Sequence, residues 1–266
     1  MVGSPPRVIH PSPSRSQATE TRMSDIPADI AELKSRAKVA YDQMERVWPP
    51  GDPWSEYTER SINAFVRRMV PAGAAHILNA GCGGNDYGLP RSAITANMDI
   101  SLRQCRTLPR AVLGDIESIP FPDDFFDVTI CVGAVINYVR ADIAIRELVR
   151  VTRPGGLTLL DFESSFSAEI MFSRYWAKRT SVIERMYVDH MDKQHLYSLA
   201  HIRALFERNK SHFLESSGYH TATALWERVF KKALIPGAAF AADPFTSRMP
   251  GFRALASSIL VACRKA

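Results

Sequence analysis

His76 to Ala80 is a short apolar run that passes without a spacer into Gly81, Cys82, Gly83 and Gly84. A strand that meets glycines at once lets the backbone approach a ligand where a Cβ would collide. Further strand candidates follow at Ile94–Met98, Ala111–Leu113, Val128–Val132 and Leu157–Phe162. The best-defined helix among them starts near Asp142, a natural N-cap, and turns Ile145, Leu148, Val149 and Thr152 inward. Pro154, Gly155 and Gly156 end it. Strands that alternate with helices pair in parallel, with crossovers covering both sheet faces, so the expected class is a doubly wound α/β fold.

The rest of the chain is arranged around that alternation. Residues 1 to 24 are rich in Pro, Ser and Arg, and read as a disordered tail without an apolar face to bury. Residues 25 to 71 read as N-terminal helices covering the site. One runs from Ala28 through Ile30, Leu33, Ala37 and Tyr41; the second carries Ile62, Phe65, Val66 and Met69. Residues 72 to 266 form the main domain. Its alternation lapses between about 163 and 200, where Met, aromatic and basic residues suggest a helical insertion after the fifth strand. A helix through Ile202, Leu205 and Phe206 follows, then a strand near Tyr219 to Trp226 and a last one at Ser258 to Cys263.

Composition narrows the class further. At 266 residues and 46% apolar the chain can bury one sizeable core. No apolar run approaches the roughly 20 residues of a membrane span, and Met1 to Met23 lacks the apolar centre of a secretory signal, so a cytoplasmic address is expected. Cys82, Cys105, Cys131 and Cys263 stand singly, which supports neither a metal site nor a disulfide framework. Between Met171 and Lys232 there are eleven Lys or Arg against six Asp or Glu, a local excess equal to the +5 of the whole chain. Solvated helix faces account for it; attraction to an anionic acceptor or to a membrane surface is the functional alternative. No interleaving of aromatic and basic residues marks a nucleic-acid module, and nucleic acid is not expected as a partner.

The strand ends carry the chemistry. A nicotinamide fingerprint needs glycine at its first, third and sixth places, and the sixth place from Gly81 is Asp86. That disfavours a nicotinamide oxidoreductase. Asp99 ends the second strand, where a carboxylate can accept both hydroxyls of a ribose; a helix cap is the plainer alternative. Gly114, Asp115 and Ile116 end the third, followed by Ile119-Pro120-Phe121-Pro122. A carboxylate beside an apolar residue suits an adenine ring and its amino group. Three such signals at three consecutive strand ends match the ligand edge of an open parallel sheet.

On these residues, His76 to Phe162 resembles the class I S-adenosylmethionine-dependent methyltransferases, in the type 11 group that includes ubiquinone and menaquinone methyltransferases. The matching motifs are Asn79 to Asn85, Asp99, Gly114-Asp115-Ile116, Ile119 to Asp123, Phe126-Asp127-Val128, Glu147-Leu148, Val151 and Arg153-Pro154-Gly155-Gly156. The resemblance implies a seven-stranded Rossmann-like sheet with an antiparallel final strand, and S-adenosylmethionine as cofactor. It assigns cofactor contacts to Asn79, Gly81, Cys82, Gly83, Asp99, Ile100, Asp115, Ile116 and Val132. The family usually has an acidic residue where Asn79 stands and often a third glycine at Asn85. Relatives commonly carry a Glu-His pair where Asn137 and Tyr138 fall, so these two, with His195 from the insertion as a base, are the catalytic candidates. No metal is expected. The implied activity is methyl transfer to a small-molecule or lipid-like acceptor; the alternative is a non-catalytic cofactor-binding protein of the same fold.

Overall fold

The computed structural model describes residues 30–187, 190–230, 235–249 and 251–266. The tail expected over residues 1 to 24 lies outside them. Nine strands occur among the described residues: β1 (His76–Ala80), β2 (Ile94–Asp99), β3 (Ala111–Leu113), β4 (Phe126–Cys131), β5 (Thr152–Glu163), β6 (Thr180–Tyr187), β7 (His190–Tyr197), β8 (Ser211–Tyr219) and β9 (Ser258–Lys265). Seven form one sheet in the order β3-β2-β1-β4-β5-β9-β8. β1 to β5 are mutually parallel, and β9 runs antiparallel between β5 and β8.

The α-helices are α1 (Ile30–Gln43), α2 (Pro53–Met69), α3 (Leu102–Cys105), α4 (Ala141–Val151), α5 (Leu199–Arg208), α6 (Ala222–Phe230) and α7 (Gly237–Thr246). Alternate residues of the central strands feed two cores. Leu78, Leu160, Phe162, Val261 and Cys263 pack with Ile145, Leu148 and Val149 of α4 and Ile202 and Phe206 of α5. On the other face Ile77, Val128, Ile130, Leu159, Leu260 and Ala262 pack with Ile62, Phe65 and Val66 of α2. Both faces are covered, which is why β1 reads as a continuous apolar run rather than an alternating one.

Three expectations need correction. Helix α4 starts at Ala141, and its N-cap position is Arg140, so Asp142 lies in the first turn. The Arg140 N–H is met by a carboxylate from elsewhere, Glu117 Oε1 at 2.6 Å. The segment after β5 is not helical: a 3-10 turn at Ala168–Ile170 leads into the antiparallel pair β6 and β7. Ser181 and Ile183 are buried while Val182 and Glu184 are half-buried, and Gln194 and Leu196 flank half-buried His195. That is a period of two, favoured by β-branched Thr180, Val182 and Ile183, and the aromatic content masked it. Finally, Tyr219 ends a strand rather than beginning one. Asp243 Oδ1 accepts from the N–H groups of Ala222 at 2.7 Å and Thr223 at 3.4 Å, and so turns the chain into α6.

Between β1 and β2 the crossover from Gly81 to Ala93 contains no helix. Buried Tyr87, with Leu89 against it, fills that face together with α2, which arrives from before the sheet. The substitution brings an aromatic side chain directly behind the glycine turn.

Candidate functional site

The carboxyl ends of β1 to β4 open onto a cavity of about 700 Å³, open solvent at its mouth included. Its wall includes Gly81, Cys82, Gly83, Asp99, Ile100, Asp115, Ile116, Val132 and Tyr138. Nine of the twelve residues singled out from the sequence therefore share one wall. Asn79, Asn137 and His195 are not part of it.

The glycine turn is dictated by crowding. Gly81 has φ +70° and a Cβ there would fall 2.6 Å from Val135 Cγ2; at Gly83, φ +52°, it would fall 2.9 Å from Val47. Buried Asp99 holds the turn from the end of β2. Its Oδ2 accepts from Gly83 N–H at 2.9 Å and its Oδ1 from Ser101 N–H at 2.8 Å. Burial pushes the Asp99 carboxyl up from its ordinary value, and the N–H donors of Ser101, Gly83 and Ile100 oppose that shift. Cys82 is buried under the turn, and burial pushes its thiol up to about 12, so it is a packing residue and not a thiolate.

At the end of β3, Asp115 Oδ1 accepts from Glu117 N–H at 2.9 Å, an Asx turn that fixes the carboxylate. A residue the sequence did not single out completes this end. Lys34 of α1 donates to Asp115 Oδ2 at 2.5 Å and to Glu117 Oε2 at 2.8 Å. Burial pushes the Glu117 carboxyl upward, but hydrogen bonds from Arg140 and Lys34 outweigh it and hold Glu117 below its ordinary 4.5. Burial likewise works against charged Lys34, and its bonds to Asp115 and Glu117 hold it above 10.5. Ser101 binds α1 as well, through its hydroxyl donating to Asp42. Gln104 donates to Tyr41 O at 2.6 Å and Met44 O at 2.8 Å.

Past Val132 the backbone turns at Gly133, with φ +90°, and Ala134, with φ +58°, into a 3-10 helix at Val135–Tyr138. Fully buried Asp161 on β5 sets that turn: its Oδ1 accepts from Ala134 N–H at 2.7 Å and its Oδ2 from the Tyr219 hydroxyl at 2.6 Å. Tyr138 reaches the cavity, and its hydroxyl accepts from Gln194 of β7. Asn137 points elsewhere. It donates to His195 O at 2.6 Å and accepts from Glu163 N–H at 3.3 Å, which bolts the turn to the inserted strands. His195 is half-buried with its ring beside Tyr197, and burial holds its pKa below 6.5. Asn79 donates to Asn85 O at 2.8 Å and Asn97 Oδ1 at 2.9 Å, while its own Oδ1 is buried without a partner. It braces the loop from beneath.

Lys34, Ala37 and Tyr41 of α1, then Val47, Trp48 and Tyr87, also line the cavity. Their sequence signals were Ala37 and Tyr41 on the apolar stripe of the first helix, Trp48 at its Pro-rich end, and Tyr87 just past the glycines. Among the described residues, no side chain between 163 and 200 lines it. The inserted strands act from behind, through Gln194 and the His195 carbonyl.

Comparison with known proteins agrees with this architecture. Residues 78–160 match the family described as Methyltransferase domain. The chain is 30% identical over 162 residues to an Arabidopsis thaliana tRNA (carboxymethyluridine(34)-5-O)-methyltransferase, covering 56% of this chain and 39% of that one. It is 30% identical over 154 residues to the demethylmenaquinone methyltransferase of Mycobacterium marinum, covering 53% of this chain and 63% of that one. It thus spans less than two thirds of either relative. Among solved structures, the Burkholderia thailandensis 1,6-didemethyltoxoflavin-N1-methyltransferase superposes with a TM-score of 0.57 at 12% identity, over 94% of both chains. That likeness concerns the fold alone. The stretch 78–160 is thus similar to methyltransferase domains, and the sheet that carries it has the class I methyltransferase fold.

Proposed function

We propose that this protein transfers a methyl group from S-adenosylmethionine to a small-molecule or lipid-like acceptor. One observation carries the reading: the glycine turn, Asp99 and Asp115 face a single cavity within the stretch matched to methyltransferase domains. The residues suit that cofactor on their own geometry. Gly81 and Gly83 leave a cradle that a Cβ would fill. Asp99 holds two N–H donors and keeps lone pairs for two ribose hydroxyls. Asp115 lies beside buried Ile116, which offers an acceptor for an adenine amino group and an apolar contact for its ring.

When bound, S-adenosylmethionine supplies an activated sulfonium methyl group for in-line displacement. The chain contributes alignment and exclusion of water, worth roughly 7–11 kcal/mol of barrier in well-oriented systems. Ile100, Ile116 and Val132, which line the cavity, would give the cofactor apolar contacts. Tyr138, braced by Gln194, would border the acceptor and can orient it through its hydroxyl. Val47, Trp48, Tyr87 and Val135 make the remaining wall apolar and aromatic, which suits a compact or lipid-like acceptor. Among the relatives, the demethylmenaquinone and didemethyltoxoflavin enzymes carry names of small acceptors, and the tRNA enzyme is matched over only 39% of its length. In this reading residues 25 to 71 serve as the cover and 72 to 266 as the catalytic unit. No described helix is long and apolar enough to cross a membrane, so a lipid-like acceptor would be met at a surface.

The test is purified protein with methyl-labelled cofactor and fractionated cell extract. Label is expected in a small-molecule or lipid fraction and not with Asp99→Ala. Label in RNA or protein would overturn the acceptor class. Cofactor binding with no labelled fraction would favour the non-catalytic alternative.

A further inference from the structure

β9 pairs antiparallel with both β5 and β8, so β8 runs the same way as β5 and ends at the edge where the cavity opens. Tyr219, its last residue, reaches Asp161 Oδ2 at 2.6 Å, beside the turn at Ala134. Three segments are gathered at that end of the sheet. The turn after β5 carries Phe172, and Arg228 Nε of α6 donates to Met171 O at 3.1 Å. Asp243 of α7 holds the first turn of α6 through the N–H groups of Ala222 and Thr223. A 3-10 turn at Phe252–Leu255 follows α7, with Arg253 N–H donating to Met249 O at 3.1 Å.

Large apolar side chains stand out into solvent from all three. Phe172 is 76% exposed, Phe245 70% and Val229 66%, and Phe230, Met249 and Phe252 are exposed as well. Four of the five exposed phenylalanines among the described residues lie here, whereas a solvated surface carries such residues singly. Phe230 is held outward by Trp226, ring centroids 4.1 Å apart. The same segments, 168–179, 222–230, 235–249 and 251–256, expose Arg174, Lys178, Arg179, Arg248 and Arg253 and no Asp or Glu. Arg228 and Arg248 spend hydrogen bonds on the carbonyls of Met171 and Pro244, which neutralise neither.

This one-sided charge selects among occupants. Two copies paired through the face would set these cations against themselves. Val229 and Met249 offer no ring on which a nucleic-acid base could stack. Aromatic and aliphatic groups amid Lys and Arg match the boundary between acyl chains and anionic headgroups. Resting on the lipid-like acceptor reading above, we propose that the outer face of α6, α7 and the Phe172 turn docks on an anionic phospholipid surface. Docking there brings the cavity's edge of the sheet to the bilayer that would hold the acceptor.

The test is co-sedimentation of the full chain with phosphatidylcholine vesicles and with mixed phosphatidylcholine–phosphatidylserine vesicles. Wild type should partition to the mixed vesicles at least about tenfold more strongly, and less so as salt rises. Phe245→Ser should weaken that partition about tenfold, and Arg248→Gln and Arg253→Gln about fivefold each. All three should keep the wild-type melting temperature, since these side chains are exposed. Equal partition to both vesicles, or variants that partition as wild type does, would overturn the proposal. So would a dimer in light scattering that Phe245→Ser dissociates, or release from the mixed vesicles by equimolar RNA. Failure to partition by a chain that still labels a lipid fraction would overturn the dock alone. Partition by a chain that labels no lipid would uphold the dock and overturn the acceptor reading.

Discussion

The two ends of the cavity are built on opposite principles. At the end under β2 and β3 every carboxylate is fixed: Asp99 by two backbone donors, Asp115 by an Asx turn and Lys34, Glu117 by Lys34 and Arg140. Beyond the glycine turn the wall is Val47, Trp48, Tyr87, Val135 and Tyr138, without a charged side chain. Prealigned charges recognise one fixed ligand, because their desolvation is already offset by protein contacts. An apolar aromatic wall is tolerant, and a change of residue there changes what fits. In the proposed reading, the difference separates a constant cofactor from an acceptor that can vary across a fold family.

The sharpest way to break the comparison is Asp99→Ala. That change removes the ribose acceptors and frees the N–H groups of Gly83 and Ser101, so cofactor affinity should fall by roughly 3 kcal/mol, about a hundredfold or more. Calorimetry measures it, and a loss under threefold would mean that Asp99 is a loop brace only. Next in size is Trp176→Ala. Trp176 packs with Ile170, Ile183 and Leu196 and donates to Phe166 O at 3.1 Å, away from the cavity. It should cost about 2–3 kcal/mol in denaturant unfolding, short of a fully buried aromatic because Trp176 is half-buried. Cofactor affinity should hold; a stable variant that lost acceptor turnover would mean that the insertion contributes to acceptor binding.

These two residues also mark what the sequence could and could not reveal. Asp99 was legible because a short strand candidate ends on it, one strand after the run that meets the glycines, and local pattern decides both. β6 and β7 were read as helical because their signal, the alternation about Ile183 and Leu196, is short and surrounded by aromatics that pack on one another. Lys34, Trp48 and Tyr87 were missed as site residues for a different reason. Each reaches the cavity only through tertiary docking, of α1 onto α3 and of a helix-free crossover onto α2. Asn137 shows the converse: a position that family resemblance assigns to chemistry is here spent on the His195 carbonyl and Glu163 N–H.

The third prediction concerns pH. Glu117 titrates lower folded than its ordinary 4.5, so its contribution is present above 4.5 and lost as pH falls through the folded value. Lys34 titrates higher than 10.5 when folded, so its contribution is present below 10.5 and lost as pH rises through the folded value. Lys34→Met should therefore lower the melting temperature within that window, by the equivalent of roughly 1 kcal/mol or less given solvent screening. The difference from wild type should narrow at either extreme. A pH-independent difference would mean that Lys34 acts through its alkyl stem. The smallest effect is expected of Asn79→Ala, which should weaken cofactor binding by about 1 kcal/mol or less, since its amide is committed to Asn85 and Asn97. A loss equal to that of Asp99→Ala would erase the distinction between the charged end and the neutral brace.

The most direct test of the central claim is titration of the purified full-length chain with S-adenosylhomocysteine and, separately, with NAD. Saturable binding of S-adenosylhomocysteine at one site per chain, abolished or strongly weakened by Asp99→Ala, with no binding of NAD, is the predicted result. Binding of NAD without S-adenosylhomocysteine would contradict the account.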